Sequence, residues 1–272
     1  MERADPNQYR RLRGPFDVVG DVHGCLTELH DLLANLGYTL TGDQPSHPMG
    51  RRLVFVGDLV DRGPNVPGVL QALLPGLING TILAVPGNHD DKYARHLSGA
   101  RVTVANGLED TIEQVARLAP RDRKRLEHQF SKWFETSSWH LMLDDGNLVV
   151  AHAGLMADLF GQSGPLVRSR ALYGEVLGYD ASGLPIRRDW AKDYAGGPLV
   201  VYGHTPVIPA TVSQRTVNID QGCVFGGFLT ALRYPELTLV SIPARRAYAA
   251  TSGAFVEVLT SAGRPGRLKP AL

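Results

Sequence analysis

Cysteine is nearly absent from this chain of 272 residues, with Cys25 and Cys223 the only two. That excludes a disulfide framework and offers no CxxC spacing of a zinc site. A reducing compartment follows as the expectation, and with it a cytoplasmic location. Long apolar runs are missing as well: no stretch approaches ~20 apolar residues, and the opening MERADPNQYRRLRGPF carries charges but no apolar core of the signal-peptide kind. No membrane partner is expected. Nor is there an excess of charge, since 28 Lys and Arg against 27 Asp and Glu leave a formal +1. Nothing global therefore draws the chain to nucleic acid or membrane, and a polyanion must be held by local charge. A GxxxxGKS/T phosphate loop is lacking, so the chain is not expected to contain a kinase domain. Internal repeats and low-complexity segments are absent too.

What remains is an ordinary globular composition, 43% hydrophobic and 20% charged, at a length that can bury one large core. Five apolar runs break at glycine and then deliver Asp, His or Asn. They are FDVVGDVHG (Phe16 to Gly24), LVFVGDLVDR (Leu53 to Arg62), TILAVPGNHD (Thr81 to Asp90), LVVAHAG (Leu148 to Gly154) and LVVYGHTP (Leu199 to Pro206). Runs of this kind suit central strands whose carboxyl ends open into loops, where open α/β sheets place their ligands.

Between the first two runs, Leu26, Leu29, Leu32, Leu33 and Leu36 recur at helical spacing and Gly37 follows as a C-cap. VPGVLQALLPGLI predicts a second crossover helix, interrupted near Pro75, and a βαβαβ order with parallel strands emerges. The fold class is therefore α/β. TGDQPSHPMG reads as turn chemistry, with His47 a loop residue, and residues 1–14 as a loose polar arm outside the core. Residues 90–145 are polar and helical and predict a helical cap beside the site, on which the basic run RDRKR (Arg121 to Arg125) reads as a solvated face. Residues 162–197, rich in Gly, Arg and aromatics with little periodicity, read as a long ordered active-site loop. TVNID, FLTALRY and LTLVSIP alternate as antiparallel strands of a second sheet would, and 244–272 is a C-terminal extension.

Asp21, His23, Asp58, Asn88, His152 and His204 are mixed oxygen and nitrogen donors at these strand ends, with no thiolate among them. Such a set suits Mn, Fe, Zn, Ni or Co better than Cu(I) or an iron–sulfur cluster. Six donors are too many for one open catalytic ion. A shared carboxylate, for which Asp58 is placed, would let them hold two ions roughly 3.5–4 Å apart. A water made acidic between two such ions is a nucleophile at neutral pH, and Arg62 can neutralise phosphoryl oxygens during in-line attack. His89, next to Asn88, suits a proton donor to the leaving oxygen, with Asp61 locking its tautomer. A buried structural His–Asp pair is the plainer reading of those two residues.

Taken together, DVHG (Asp21 to Gly24), GDLVDRG (Gly57 to Gly63), GNHD (Gly87 to Asp90), HAG (His152 to Gly154) and GHTP (Gly203 to Pro206) resemble the phosphoprotein phosphatase branch of the binuclear metallophosphoesterases. The resemblance implies a four-layer α/β/β/α sandwich over residues 15–243 and two divalent transition-metal ions, Mn foremost. It puts Asp21, His23 and Asp58 on one ion, and Asp58, Asn88, His152 and His204 on the other. His89 is then the proton donor, Asp61 its orienting partner and Arg62 a ligand of the phosphoryl oxygens.

ALYGE, RRDWAKDY and NIDQGCVFGGFLTALRYPE extend the likeness to the phosphatase domain of bacterial RNA-repair polynucleotide kinase-phosphatases and to PrpE-type hydrolases of bis(5′-nucleosyl) tetraphosphates. In that subgroup the position of Asp220 belongs to the active site, while Gln221 stands where the subgroup has Thr. The implied partner is a phosphate ester of nucleotide type, such as an RNA 3′-phosphate or 2′,3′-cyclic end or a dinucleoside tetraphosphate. A serine/threonine phosphoprotein is the alternative within the same chemistry, and a catalytically silent binding module the alternative outside it. Arg187 and Arg188, with Arg168 and Arg170, are candidates for a further phosphate anchor. Trp190 and Tyr173 either stack on a base or pack within the loop. The expected role of the two cysteines is small-residue packing.

Overall fold

The structure, a computed structural model, describes residues 4–40, 44–181, 183 and 185–251. In chain order the strands are β1 (Phe16–Val19), β2 (Arg52–Phe55), β3 (Leu83–Ala84), β4 (His140–Leu143), β5 (Leu148–Ala151), β6 (Val176–Tyr179), β7 (Pro185–Arg187), β8 (Leu199–Tyr202), β9 (Thr211–Ser213), β10 (Thr216–Asn218), β11 (Phe228–Tyr234) and β12 (Thr238–Pro243). The helices are α1 (Leu26–Leu36), α2 (Val66–Asn79), α3 (Asn88–Leu97), α4 (Leu108–Ala116), α5 (Pro120–Thr136) and α6 (Pro165–Tyr173). One sheet has the order β12-β11-β1-β2-β3 and the other β4-β5-β8-β10-β9.

Side-chain alternation along the strands builds the layers. Phe16, Val18, Val54 and Val56 point to the second sheet and meet Leu141, Leu143, Leu148, Val150, Val201 and Ile219. Val19, Leu53 and Phe55 point the other way, into a core shared with the helices. There α1 buries the predicted leucine stripe and ends at Gly37, whose φ of 93° is the left-handed cap. Burial of each such leucine is worth about 1.5–3 kcal/mol. On the outer face of the second sheet, Val149, Met142 and Val200 pack against Trp190, Ala191 and Tyr194, while Ala151 packs against Val167, Ala171 and Leu172. The expected four layers are thus present, the last a thin one.

The structure departs from the sequence expectations in several places. The α2 helix runs unbroken through Pro75, because its last turns are held by burial of Leu73, Leu74 and Leu77, which outweighs one lost backbone hydrogen bond. FLTALRY and LTLVSIP belong to the first sheet, where β11 pairs antiparallel with β1 and β12. Only TVN enters the second, parallel to β8 and antiparallel to β9. Residues 162–197 are not a loop but α6, a hairpin of β6 and β7 and a 3-10 turn (Trp190–Asp193). Three buried side chains, Val167, Ala171 and Leu172, hold α6, too few to print a helical period.

The helices at 90–145, expected as a cap beside the site, carry Tyr93, Leu108, Leu126, Phe130 and Trp133 into the same core as α1 and α2 and reach the site through Thr111, which bonds to Asp61. The N-terminal arm is docked: backbone N–H groups of Met142, Asp144 and Asp145 donate to Pro6, Leu12 and Arg10, and Arg13 pairs with Asp145. Of the C-terminal extension, 252–272 lies outside the described residues; before it, Arg245 and Tyr248 fasten to Glu28 on α1.

Candidate functional site

Each of the six expected donors leaves the end of a strand or the turn just beyond it, and the two sheets bring those ends together. Asp21 and His23 follow β1, Asp58 follows β2, Asn88 opens α3 after β3, His152 follows β5 and His204 follows β8. Such turns are tight. A Cβ at Gly87 would run into Asp58 Oδ1, and one at Gly203 into Asp21 Oδ1, so both positions need glycine for close approach. The turns are also strained: His23, Asp58, Asp61, Arg62 and His204 are five of the ten non-glycine residues with positive φ among those described. Strain gathered at one place is a mark of a functional site.

Asp58 stands at the centre. His23 Nδ1 donates to Val60 O at 2.7 Å and His152 Nδ1 to Val56 O at 3.0 Å. A carbonyl only accepts, so in both rings Nδ1 carries the proton and Nε2 the lone pair. Burial pushes the His152 imidazole down to about 3, and burial with the charge of Arg62 takes His23 well below its usual range, so both rings are neutral. Yet each Nε2 lies 3.4 Å from the same oxygen, Asp58 Oδ2. Two lone pairs facing one carboxylate oxygen repel unless a proton or cations lie among them. On the second side, His152 Nε2, His204 Nδ1 and Asn88 Oδ1 lie within 2.8–3.1 Å of one another. The donor chemistry therefore fits two divalent ions sharing Asp58.

The surrounding carboxyls tell the same story. Burial raises Asp21, Asp58 and Asp220 above the usual carboxylate range, and the repulsion of Asp58 adds to the rise at the other two. Asp220 accepts the N–H of Gly222 at 2.9 Å and is 5% exposed, so it is close to the pair without facing water. Gln221 is buried beside it and bonds to Thr230 and Ser241.

His89 Nδ1 and Asp61 Oδ2 are 2.6 Å apart, and the ring stands edge-on to His23 with centroids 4.8 Å apart. Nε2 is left toward the donors. Burial lifts the Asp61 carboxyl to about 7, against the lowering effect of the Thr111 hydroxyl, which donates to Oδ1 at 2.6 Å. Arg62 donates from Nη1 to His23 Nε2 at 3.1 Å and lies over the ring of Phe225.

The four candidate arginines separate. Arg168 pairs with Asp91 and Arg170 with Glu175. Arg188 is bound to Asp193 at 2.7 Å and to Glu175 at 3.4 Å, so two carboxylates share the charge expected to anchor a phosphate, although the residue also lines the cavity beside His204. Arg187 donates to Tyr173 O at 3.0 Å and has no carboxylate within ion-pair distance among the described residues. It lines a cavity of about 320 Å³ together with Tyr173, Trp190, His204 and Asn218, and its charge adds to the burial that depresses the His152 and His204 imidazoles. Trp190 is 8% exposed and packs on Tyr194 and Tyr202. Packing is therefore its observed role.

Two residues at the site escaped the sequence reading. Asp90 accepts from Leu59 N at 3.0 Å and Gly87 N at 2.9 Å, tying the Asp58 turn to the Asn88 turn. Its place in GNHD was a usable signal. Thr111 holds Asp61 from α4, and a lone threonine in a polar helix gave none.

Against known proteins, the calcineurin-like phosphoesterase family matches residues 14–240. The chain is 46% identical over 236 residues to the asymmetrical bis(5′-nucleosyl)-tetraphosphatase PrpE of Anoxybacillus flavithermus, covering 86% of this chain and 96% of that one. It is 44% identical over 234 residues to the PrpE of Bacillus subtilis, with the same two shares. A solved structure described as a candidate diadenosine tetraphosphatase superposes with a TM-score of 0.58 at 25% identity, covering 87% of this chain and 99% of that one.

Proposed function

From the premise that the chain belongs to the calcineurin-like phosphoesterases, a family of metal-dependent hydrolases, we propose that it hydrolyses bis(5′-nucleosyl) tetraphosphates asymmetrically. The observation that carries the chemistry is Asp58 Oδ2, flanked at 3.4 Å by two imidazole lone pairs. The substrate is supported by relatives of that name that match over nearly their whole length, and by the uncommitted Arg187 on the cavity beside His204.

Asp21, His23 and Asp58 would hold one divalent ion, and Asp58, Asn88, His152 and His204 the other. Mn fits this imidazole-rich set better than Mg. Bound there, the ions supply Lewis acidity toward phosphoryl oxygens and a water acidic enough to act as nucleophile at neutral pH. The protein does the rest. Arg62 stabilises charge on the phosphoryl group under attack, and Arg187 holds a second phosphate of the chain. His89 delivers a proton from Nε2 to the departing oxygen, and the incoming polyanion favours the imidazolium that this requires. Asp61 keeps the ring oriented through Nδ1, while Asp220 shapes the field around Asp58.

No described helix is long and apolar enough to cross a membrane, and two unbridged cysteines fit a reducing cytoplasm. An RNA end or a phosphoserine presents the same phosphoryl chemistry to this centre, but no residue on the cavity singles either out. Product analysis decides. With diadenosine tetraphosphate and Mn²⁺, chromatography should show ATP and AMP in equal amounts. Two molecules of ADP would overturn the asymmetry, and no cleavage alongside rapid hydrolysis of a phosphoserine peptide would overturn the substrate.

A further inference from the structure

Behind the six donors, on the helical side of the first sheet, the only two cysteines of the chain meet. Cys25 is the N-cap of α1 and Cys223 opens the 3-10 turn Cys223–Phe225 after β10. They are 0% and 2% exposed. Glu28 lies one helical turn beyond Cys25 on the same face and is itself 0% exposed. Sγ of Cys25, Sγ of Cys223 and a carboxylate oxygen of Glu28 all lie within 4.8 Å of one another.

The hydrogen bonds around this cluster do not close. Glu28 Oε1 is satisfied by Tyr248 Oη at 2.7 Å and by the backbone N–H of Arg245 at 3.0 Å. Oε2 is buried with no hydrogen-bond partner. Cys25 points its S–H at His23 O, 3.7 Å away, and Cys223 bonds to Cys25, so neither thiol serves the orphaned oxygen. A buried carboxylate oxygen without a donor is costly. What two sulfurs and one carboxylate oxygen bind in common is a borderline, thiophilic cation. Ligand atoms about 2.3 Å from a tetrahedral ion are about 3.8 Å apart, so these three need to close by no more than about 1 Å.

We propose that Cys25, Glu28 and Cys223 form a third cation site, separate from the catalytic pair, for a divalent ion of the zinc type. On binding, each thiol releases its proton to solvent as its sulfur bonds to the ion, and Glu28 Oε2 takes a third position. The site is a clamp. It joins the turn that carries His23 to the turn that follows Asp220, and through Glu28 it fastens the segment of Arg245 and Tyr248 over both.

Cobalt tests this in the full-length chain, because thiolate ligation gives near-ultraviolet charge-transfer absorption and the oxygen and nitrogen donors of the catalytic centre do not. Reduced, metal-stripped protein titrated with Co²⁺ should develop that band with the intensity of two Co–S bonds per chain, complete by the three equivalents that fill all sites, and Zn²⁺ should abolish it. Cys25→Ser and Cys223→Ser should diminish the band and each bind one ion fewer. Glu28→Gln keeps both thiols and should weaken the binding behind the band roughly tenfold or more. His152→Asn, which alters only the catalytic donors, should leave the band intact. Absence of the band in wild-type protein whose two thiols react fully on unfolding would overturn the proposal, as would a Cys25–Cys223 disulfide in protein prepared under reduction. Should a serine variant not fold, the wild-type titration still decides, since the chain holds no other thiol.

Discussion

Replacing His89 by alanine tests its assignment as proton donor, because a donor matters only where the departing oxygen is too basic to leave unaided. Its Nδ1 is committed to Asp61 Oδ2 at 2.6 Å, which leaves Nε2 for the reacting atoms. General acid catalysis is worth about 10²–10⁴-fold, or roughly 2.7–5.4 kcal/mol. An alkoxide needs that proton. A nitrophenolate, or the terminal phosphate oxygen of a departing nucleotide, is a much weaker base and needs it little. H89A should therefore lower kcat/KM on an alkyl phosphate by about 10²–10⁴-fold, but on a nitrophenyl ester and on diadenosine tetraphosphate by less than about tenfold. Metal content should hold, since the contact of His89 with Asp58 Oδ1 is made by its backbone N–H at 3.0 Å. D61N keeps an oxygen for Nδ1–H but exchanges a charge-assisted bond for a neutral one, a loss of about 1–1.5 kcal/mol, or roughly tenfold on the alkyl substrate. The comparison is kcat/KM on all three substrates at matched metal occupancy. An equal loss on all of them would mean that His89 positions phosphate or metal, and the acid role would fall.

Asp58→Ala should lose both catalytic ions together and His204→Ala chiefly one, because Oδ2 of Asp58 is the atom shared by His23 and His152; elemental analysis finding both ions in D58A would refute the bridge. Loading the stripped enzyme should release protons in a pH-dependent way. Burial raises the Asp58 and Asp220 carboxyls to about 7 in the metal-free protein, whereas His152, pushed down to about 3, has no proton to lose. The share of the release that comes from these carboxyls should then fall as pH rises through about 7; calorimetry in buffers of different ionisation heat, comparing wild type with Asp220→Asn, isolates it, and a difference between the two that grows with pH would contradict the sign. Arg187→Ala should raise KM for diadenosine tetraphosphate about tenfold or more with little effect on a nitrophenyl ester. Arg188→Ala, whose guanidinium is already held by Asp193 and Glu175, should change either substrate by less than about threefold; the reverse order of the two variants would refute the assignment of the free arginine.

The donors were legible because each uses the same sequence device: an apolar run long enough to be a buried strand, then the donor with a glycine beside it that gives the turn room, before the donor in four runs and after it at His152. Gly87 against Asp58 and Gly203 against Asp21 show why the glycine cannot be spared. Strand membership was less legible. Nothing in FLTALRY distinguishes the two sheets, since both faces of β11 are covered, Leu229 and Ala231 toward the helices and Leu232 toward the second sheet. Its place beside β1 is decided by the long-range antiparallel register that sets Val19 opposite Ala231.

The region that carries Arg187 hid for a different reason. The α6 helix and the β6–β7 hairpin bury little: Leu166 is 57% exposed, Leu177 64%, Tyr179 71% and Ile186 50%. With so small a buried face, neither the helical nor the strand period has to appear in the sequence. The same economy explains why adjacent arginines differ. Arg187 is the last residue of β7 and Arg188 the first beyond it, and only the second reaches Asp193 and Glu175. Sequence composition marks that stretch as basic, but the free charge is assigned by the pairing of Val176 with Arg187. Because the six donors follow central strands and Arg187 sits at the end of an exposed hairpin, substitutions in the hairpin are expected to leave the atoms around Asp58 in place, whatever they do to the choice of phosphate ester.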